Sequence, residues 1–353
     1  MIMKMKFGKK KKKGTSALIM LAIVVLLSGC FAYETREEAE KRLSKTGSAG
    51  NITAVQFYVP SMDENRVDII DIVSGEVAGS IKVSEAPTIT VFASTMRRAY
   101  VANQNSSTVS FINTETLEVE KEVEVGALPH GMALSRDNST LYVATVGDQF
   151  IYVIDTNTAE TSVIDLGEGA RTNYPLLHGS RLYVTDHEND KYYVINTDTR
   201  EVEQEVSTGA LPRAIRSNAD ASRLYIPTAE GGALEIYDRE TGERLNSIDT
   251  PEGSADVAVT DDETIAVVTH IESSSVSIID LESGEIIKTI EDLPGAKHIS
   301  FNRLQSRAYI TLSGTNKVAV LEMDTLEISD YIEVGHNPHG IQIKALPGIG
   351  GSC

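Results

Sequence analysis

The sequence predicts an all-β protein: a seven-bladed β-propeller with four antiparallel strands in each blade. Three observations predict it. A Tyr-Val step recurs at Tyr58, Tyr100, Tyr142, Tyr183, Tyr225, Val267 and Tyr309, at intervals of 42, 42, 41, 42, 42 and 42 residues. An acid or amide that closes the next apolar run recurs at Asp71, Asn113, Asp155, Asn196, Asp238, Asp280 and Glu322, with the same intervals. Between these landmarks lie short runs of period-two alternation, separated by turns rich in Asn, Ser, Gly and Asp, which is the signature of antiparallel strands. A repeat of about 40–45 residues with four strands is a propeller blade.

The unit is clearest over residues 97–137. Ala99-Tyr100-Val101-Ala102 and Thr108-Val109-Ser110-Phe111-Ile112 are β-type runs on either side of a polar turn. A third run, Glu118 to Val125, alternates apolar and charged residues. Gly126-Ala127-Leu128-Pro129-His130-Gly131 ends it, and a fourth run begins at Met132. In propeller order the run after Pro-His-Gly is the innermost strand and the Tyr-Val run the second. The chain enters the repeat near Ile52 at a second-strand position and leaves it near Ile343 at an inner-strand position. The C-terminal strand is therefore expected to complete the N-terminal blade, closing the ring and removing two exposed sheet edges. A solenoid would need atypical polar caps, and neither terminal repeat has that character.

Tyr-Val-Ala-Asn at 100–103, then Val-Ser-Phe-Ile-Asn-Thr, a Val-rich strand ending in Gly, and Leu-Pro-His-Gly together resemble the YVTN β-propeller repeat, as in YncE-like and surface-layer propellers. The resemblance covers about residues 51–343. WD40 repeats match poorly, since the chain has no Trp. The repeat is specific for fold and weak for function, because one fold hosts many activities. Some propellers similar at repeat level bind haem or quinone cofactors, or open lactones, at the channel mouth.

Residues 1–30 read as a targeting segment. Lys4, Lys6 and Lys9 to Lys13 form a positive start, and Ala17 to Leu27 is an apolar stretch too short to span a bilayer. Leu27-Ser28-Gly29-Cys30 resembles a bacterial lipobox, which implies lipidation at Cys30 and a lipid anchor on the extracytoplasmic side of the membrane, in the cell envelope. Residues 31–50 read as a polar tether and 344–353 as a Gly/Pro-rich tail.

Removing that segment takes away seven lysines and no acid, moving the net charge from −19 to −26. Such a body repels nucleic acid, so nucleic-acid partners are not expected. The only cysteines are Cys30 and Cys353, so there is neither a disulfide framework nor a Cys-based metal or haem motif. No GxSxG, Cys–His pair, phosphate loop or dinucleotide fingerprint occurs. The sequence therefore leans away from an enzyme and names no cofactor.

One ring of positions departs from the acidic background. Stepping from His130 by the repeat gives Thr88, Thr172, Arg213, Ala255, Lys297 and His339. These residues begin the inner strands and should converge at one channel mouth. His130, Arg213, Lys297 and His339 make it basic, which suits a small anionic ligand or an acidic loop of an envelope protein. The second strands end nearby, which adds His270 and Asp186 to the candidates. His130 and His339, with His270 or His336, have the chemistry of transition-metal ligands, but the spacing matches no metal signature and no metal site is assigned. His298 is expected to face into a blade, and His178 and His187 fall in loops without a role. The Asp or Asn that closes each third strand recurs too often to be a site and is read as a turn residue.

Overall fold

The computed structural model describes residues 55–344. The expected targeting segment with Cys30 and the expected tether lie outside the described residues, as do residues 51–54 and 345–353. The described chain forms seven four-stranded antiparallel sheets arranged as the blades of a propeller. Its one helical piece is a 3-10 turn, Met62–Glu64.

Blade 2 is continuous in sequence, from the inner strand Pro87–Phe92 through Arg98–Asn103 and Thr108–Asn113 to the outer strand Glu118–Glu124. Blades 3 to 7 repeat the pattern, with inner strands beginning at Pro129, Thr172, Arg216, Ser254 and Ala296. Blade 1 is built from both ends. Its inner strand Gln342–Lys344 pairs antiparallel with Gln56–Ser61, through Gln56 with Lys344 and Tyr58 with Gln342. This is the closure expected from the repeat phase. Lys344, at the edge of the expected tail, still belongs to the strand and donates from Nζ to the carbonyl of Thr114 at 3.2 Å.

Burial follows position in the blade. Second and third strands are buried along most of their length, and outer strands are mostly exposed, with one apolar residue turned inward. The Tyr-Val tyrosines Tyr58, Tyr100, Tyr183, Tyr225 and Tyr309 are at most 2% exposed and sit in the clusters packed between neighbouring blades. Burying so large a ring contributes about 1.5–3 kcal/mol, which accounts for the residue's return in nearly every repeat.

The residues after the third strands are turn devices. Asp155 Oδ1 accepts the backbone N–H of Asn157 and of Thr158 at 2.8 and 2.9 Å. Asp71, Asn113, Asn196 and Asp238 accept pairs of N–H groups in the same way. Glu322 is too long for this geometry. It accepts instead from Arg307 Nε at 2.7 Å and Ser329 Oγ at 2.9 Å.

Candidate functional site

The inner strands carry a β-bulge at their start. In blades 2, 3, 4, 6 and 7 the pairing to the second strand skips just after the first residue, as between Pro129 and Met132 or Ala296 and Ile299. A bulge breaks the alternation of side chains and re-aims those beside it. Both Lys297 and His298, and both Asn173 and Tyr174, consequently line the central cavity. His298 does not face into its blade, as alternation alone had suggested.

A threonine near the end of the second strand fixes this geometry in three blades. The Thr311 hydroxyl accepts the N–H of His298 at 3.0 Å and donates to the carbonyl of His339, in the next blade, at 2.6 Å. Thr269 accepts from Asp256 and donates to Lys297 at 3.1 and 2.7 Å. Thr185 accepts from Tyr174 and donates to Arg213 at 3.1 and 2.6 Å. Each hydroxyl thus satisfies the N–H freed by the bulge and ties down the ring residue next door. Other blades have Pro60, Ala102, Ala144 and Pro227 at this position.

Glycine completes the Pro-His-Gly motif for a steric reason. A Cβ on Gly131 would lie 2.6 Å from the carbonyl oxygen of Asn173, and one on Gly340 would lie 2.7 Å from that of Thr88. Adjacent inner strands pass too closely here for any side chain.

The result is a cavity of about 380 Å³ whose lining includes His130, Asn173, Tyr174, Arg213, Lys297, His298 and His339. Of the eight expected site residues, His130, Arg213, Lys297 and His339 meet there. The other four do not line it. Thr172 falls one residue short of the ring, because it pairs with Asp186 as Pro129 pairs with Thr145, so the ring position belongs to Asn173. A two-residue turn at Gly179-Ser180 shortens this blade after its inner strand, and a longer approach compensates before it. Thr88 is buried and donates to the carbonyl of Ala102 at 3.3 Å. His270 is locked between two hydroxyls, Ser254 Oγ and Ser277 Oγ, each 2.9 Å from a ring nitrogen. Asp186 accepts the N–H groups of Glu188 and Asn189 and the hydroxyl of Tyr193, which organises its own loop.

Four residues of the cavity wall, His130, Tyr174, His298 and His339, touch in a closed circuit with two residues that do not line it, Arg216 and Asp256. Arg216 forks onto Asp256, with Nε–Oδ1 at 3.0 Å and Nη2–Oδ2 at 2.8 Å. Its guanidinium lies 4.3 Å from the centre of the Tyr174 ring. His298 Nδ1 is 2.9 Å from Asp256 Oδ2. The rings of His298 and His339 are 4.9 Å apart, as are those of His339 and His130, and His130 reaches Tyr174 at 6.4 Å. Tyr174, Arg216, Asp256 and His298 were not among the expected site residues. Their signal in the sequence is weak: a charged or aromatic residue one to three places beyond the ring position, where most repeats carry small or aliphatic ones. His187, which carried no expected role, also lines the cavity.

Burial governs the charges. It pushes the Asp256 carboxyl up, but Arg216 and then His298 outweigh this and hold it at about 2. His130 is pulled down to about 3, chiefly by burial and then by His298 and Lys297. Burial likewise lowers His339 and His298, the latter opposed by Asp256. All three imidazoles are therefore neutral at pH 7. Lys297 is lowered to about 8 by burial and by Arg213, against the opposing charge of Glu272. It makes no ion pair among the described residues. Among the described residues the Arg213 guanidinium pairs only with Glu272, at 3.4 Å, and its buried Nε has no partner. The cavity wall thus holds two cations with spare hydrogen-bonding capacity alongside three neutral imidazoles.

Comparison with known proteins agrees with the architecture. Residues 176–346 match the YncE-like β-propeller family. No curated protein matches the sequence. Among solved structures, the periplasmic gluconolactonase PpgL of Pseudomonas aeruginosa is similar with a TM-score of 0.71 and 17% identity, covering 83% of this chain and 99% of that one. A functionally unknown protein from Desulfotomaculum acetoxidans gives 0.71 and 15%, with the same coverage. Hydrazine synthase of Kuenenia stuttgartiensis gives 0.66 and 18%, covering 72% of this chain and 88% of that one. At these identities the likeness speaks to fold alone. By its repeat and its seven blades the chain is a β-propeller, and over residues 176–346 it is similar to the YncE-like family.

Proposed function

We propose that the chain is a binding propeller that takes a small carboxylate- or phosphate-bearing ligand at its channel mouth. The observation that carries this reading is the pairing of Arg213 and Lys297 on one cavity, neither with its charge fully answered, in a chain of net charge −19. Unmet buried donors favour an anion that completes them, and a guanidinium beside an ammonium suits an oxyanion. The volume is in the range of small-ligand sites, about 300–1,000 Å³. Native mass spectrometry of the full-length chain, purified gently from its host, tests the reading. A stoichiometric small acid retained by the wild type and lost from an Arg213→Gln/Lys297→Met variant is expected. The same mass on both proteins would refute it.

We also propose that the propeller is held at the extracytoplasmic membrane face through lipid on Cys30, as the lipobox-like tetrapeptide suggests. Fractionation should find the full-length chain with membranes and a Cys30→Ala variant in the soluble fraction. Soluble wild-type protein would end that proposal.

A second reading, opening of a lactone, is favoured by one feature. His298 is a neutral imidazole oriented by Asp256 within the cavity, the arrangement of a general base. Its test is hydrolysis of glucono-δ-lactone by the wild type. A rate that His298→Ala leaves unchanged would discard it.

A further inference from the structure

Three imidazoles from three blades meet in this channel, and their disposition asks for an explanation beyond anion binding. His130, His298 and His339 each offer a ring nitrogen, and these atoms all lie within 4.8 Å of one another. His130 Nε2 and His339 Nε2 are 3.4 Å apart. Two nitrogens bound to one tetrahedral zinc at 2.0–2.1 Å stand about 3.3–3.4 Å from each other. The pair already has the edge length of such a site.

The far sides of two rings are fixed in the manner of metal ligands. His298 Nδ1 faces the carboxylate of Asp256 at 2.9 Å, and Arg216 in turn holds that carboxylate. His130 Nδ1 faces the carbonyl of Asn173 at 3.3 Å. Since both partners accept, each Nδ1 carries the proton and each Nε2 presents a lone pair. Metal-binding histidines are oriented in this way by a carboxylate or a backbone carbonyl. The ring of His339 meets no carboxylate, carbonyl or hydroxyl among the described residues: its Nδ1 is buried without a partner, and its Nε2 lies against the lone pair of His130. A purely structural histidine looks different. His270 has both ring nitrogens satisfied by hydroxyls at 2.9 Å.

We infer that His130, His298 and His339 are the protein ligands of a divalent transition-metal site, with the fourth position left to water or to an anion in the shared cavity. Three histidines with one open position are the ligand set of zinc sites that bind or activate a small molecule, and imidazole equally suits cobalt and copper. Lys297 and Arg213 border the same cavity and would face the anion rather than the metal. The inference stands on the three rings and their partners, so it holds whether or not the mouth takes a carboxylate or phosphate.

The full-length chain, purified in detergent and stripped with a chelator, is titrated first with Co²⁺ and then with Zn²⁺. The expected result is uptake of one equivalent of Co²⁺ with the visible absorption of a tetrahedral ion, displaced by one equivalent of Zn²⁺. His130→Ala and His298→Ala should each weaken uptake by at least about 100-fold, and Asp256→Asn, which removes the carboxylate behind His298, by about 10–100-fold. His178→Ala, at an exposed position outside the cavity, should leave it unchanged. If either Ala variant lacks a cooperative melting transition, Gln at the same position replaces it. A wild type that takes up no Co²⁺ overturns the assignment, and so does uptake that survives in the folded His130 and His298 variants.

Discussion

The turns after the third strands and the starts of the inner strands are equally periodic in sequence, yet they do opposite things. At the turns, Asp71, Asn113, Asp155, Asn196 and Asp238 make the same pair of bonds to backbone N–H groups, blade after blade. At the inner strands the equivalent residues are Thr88, His130, Asn173, Arg213, Ala255, Lys297 and His339, and no two neighbouring blades agree. A requirement that every blade must meet holds a residue type constant around the ring. A shared central cavity asks something different of each blade, so the side chains there diverge. In a repeat protein, then, regularity marks the scaffold, and its local failure within a regular frame marks the place to look for chemistry.

Substitutions at each kind of position put this difference to the test. The largest effect is expected from Thr311→Val. It strips the partner from the His298 N–H and from the His339 carbonyl, each buried, at a cost of about 1–3 kcal/mol apiece. Denaturant melts should show this loss together with a changed environment for both histidines in NMR spectra. An unchanged melt would show that the second-strand threonines do not hold the site.

Gly131→Ala comes next. Its new methyl would meet the carbonyl of Asn173 and the ring of Pro175, both at 2.6 Å, so overpacking should cost about 1–3 kcal/mol. Stability equal to the wild type would mean that neighbouring inner strands can part without penalty.

Histidine 270 separates a scaffold imidazole from the channel ones. Burial lowers it to about 4, from the ordinary value of 6.5. The unfolded chain therefore takes up its proton first as the pH falls. Its contribution to stability is intact above about pH 6.5 and is lost progressively down to about pH 4, with a slope of at most about 1.4 kcal/mol per pH unit. A His270→Gln variant should show a shallower acid loss over that window in urea melts. Identical slopes would contradict the buried, neutral state.

The smallest effect belongs to the turns. Asp155→Ala removes two hydrogen bonds on an exposed corner and should lower the melting temperature only slightly, without touching ligand or metal uptake. Any change in uptake would blur the distinction between scaffold and site.

Much of this fold is legible in the sequence because its causes are local and repeated seven times. Tyrosines that fill the gaps between blades and carboxylates that cap turns recur at fixed steps, and their phase at the two ends foretells closure through Gln342–Lys344. The site is legible only in part. His130, Arg213, Lys297 and His339 follow from the register, but counting misplaces Thr172 for Asn173, because loops on either side of that strand change length in compensation. His298 escapes for a second reason: period-two alternation assigns it to the blade interior, and the bulge after Ala296 turns it into the channel. Asp256 and Arg216 escape because their meaning is mutual, and nothing in the chain announces that residues 40 apart share a hydrogen-bonded fork.

We propose that Arg213 and Lys297 make the channel mouth an anion site. Calorimetric titration of the full-length chain with inorganic phosphate and with citrate tests it most directly, alongside the Arg213→Gln/Lys297→Met variant. The account predicts one saturable site for at least one of these anions in the wild type, weakened about tenfold or more in a variant that melts normally, a loss of at least about 1.4 kcal/mol. Equal affinity in both proteins, or no binding by the wild type, would contradict it.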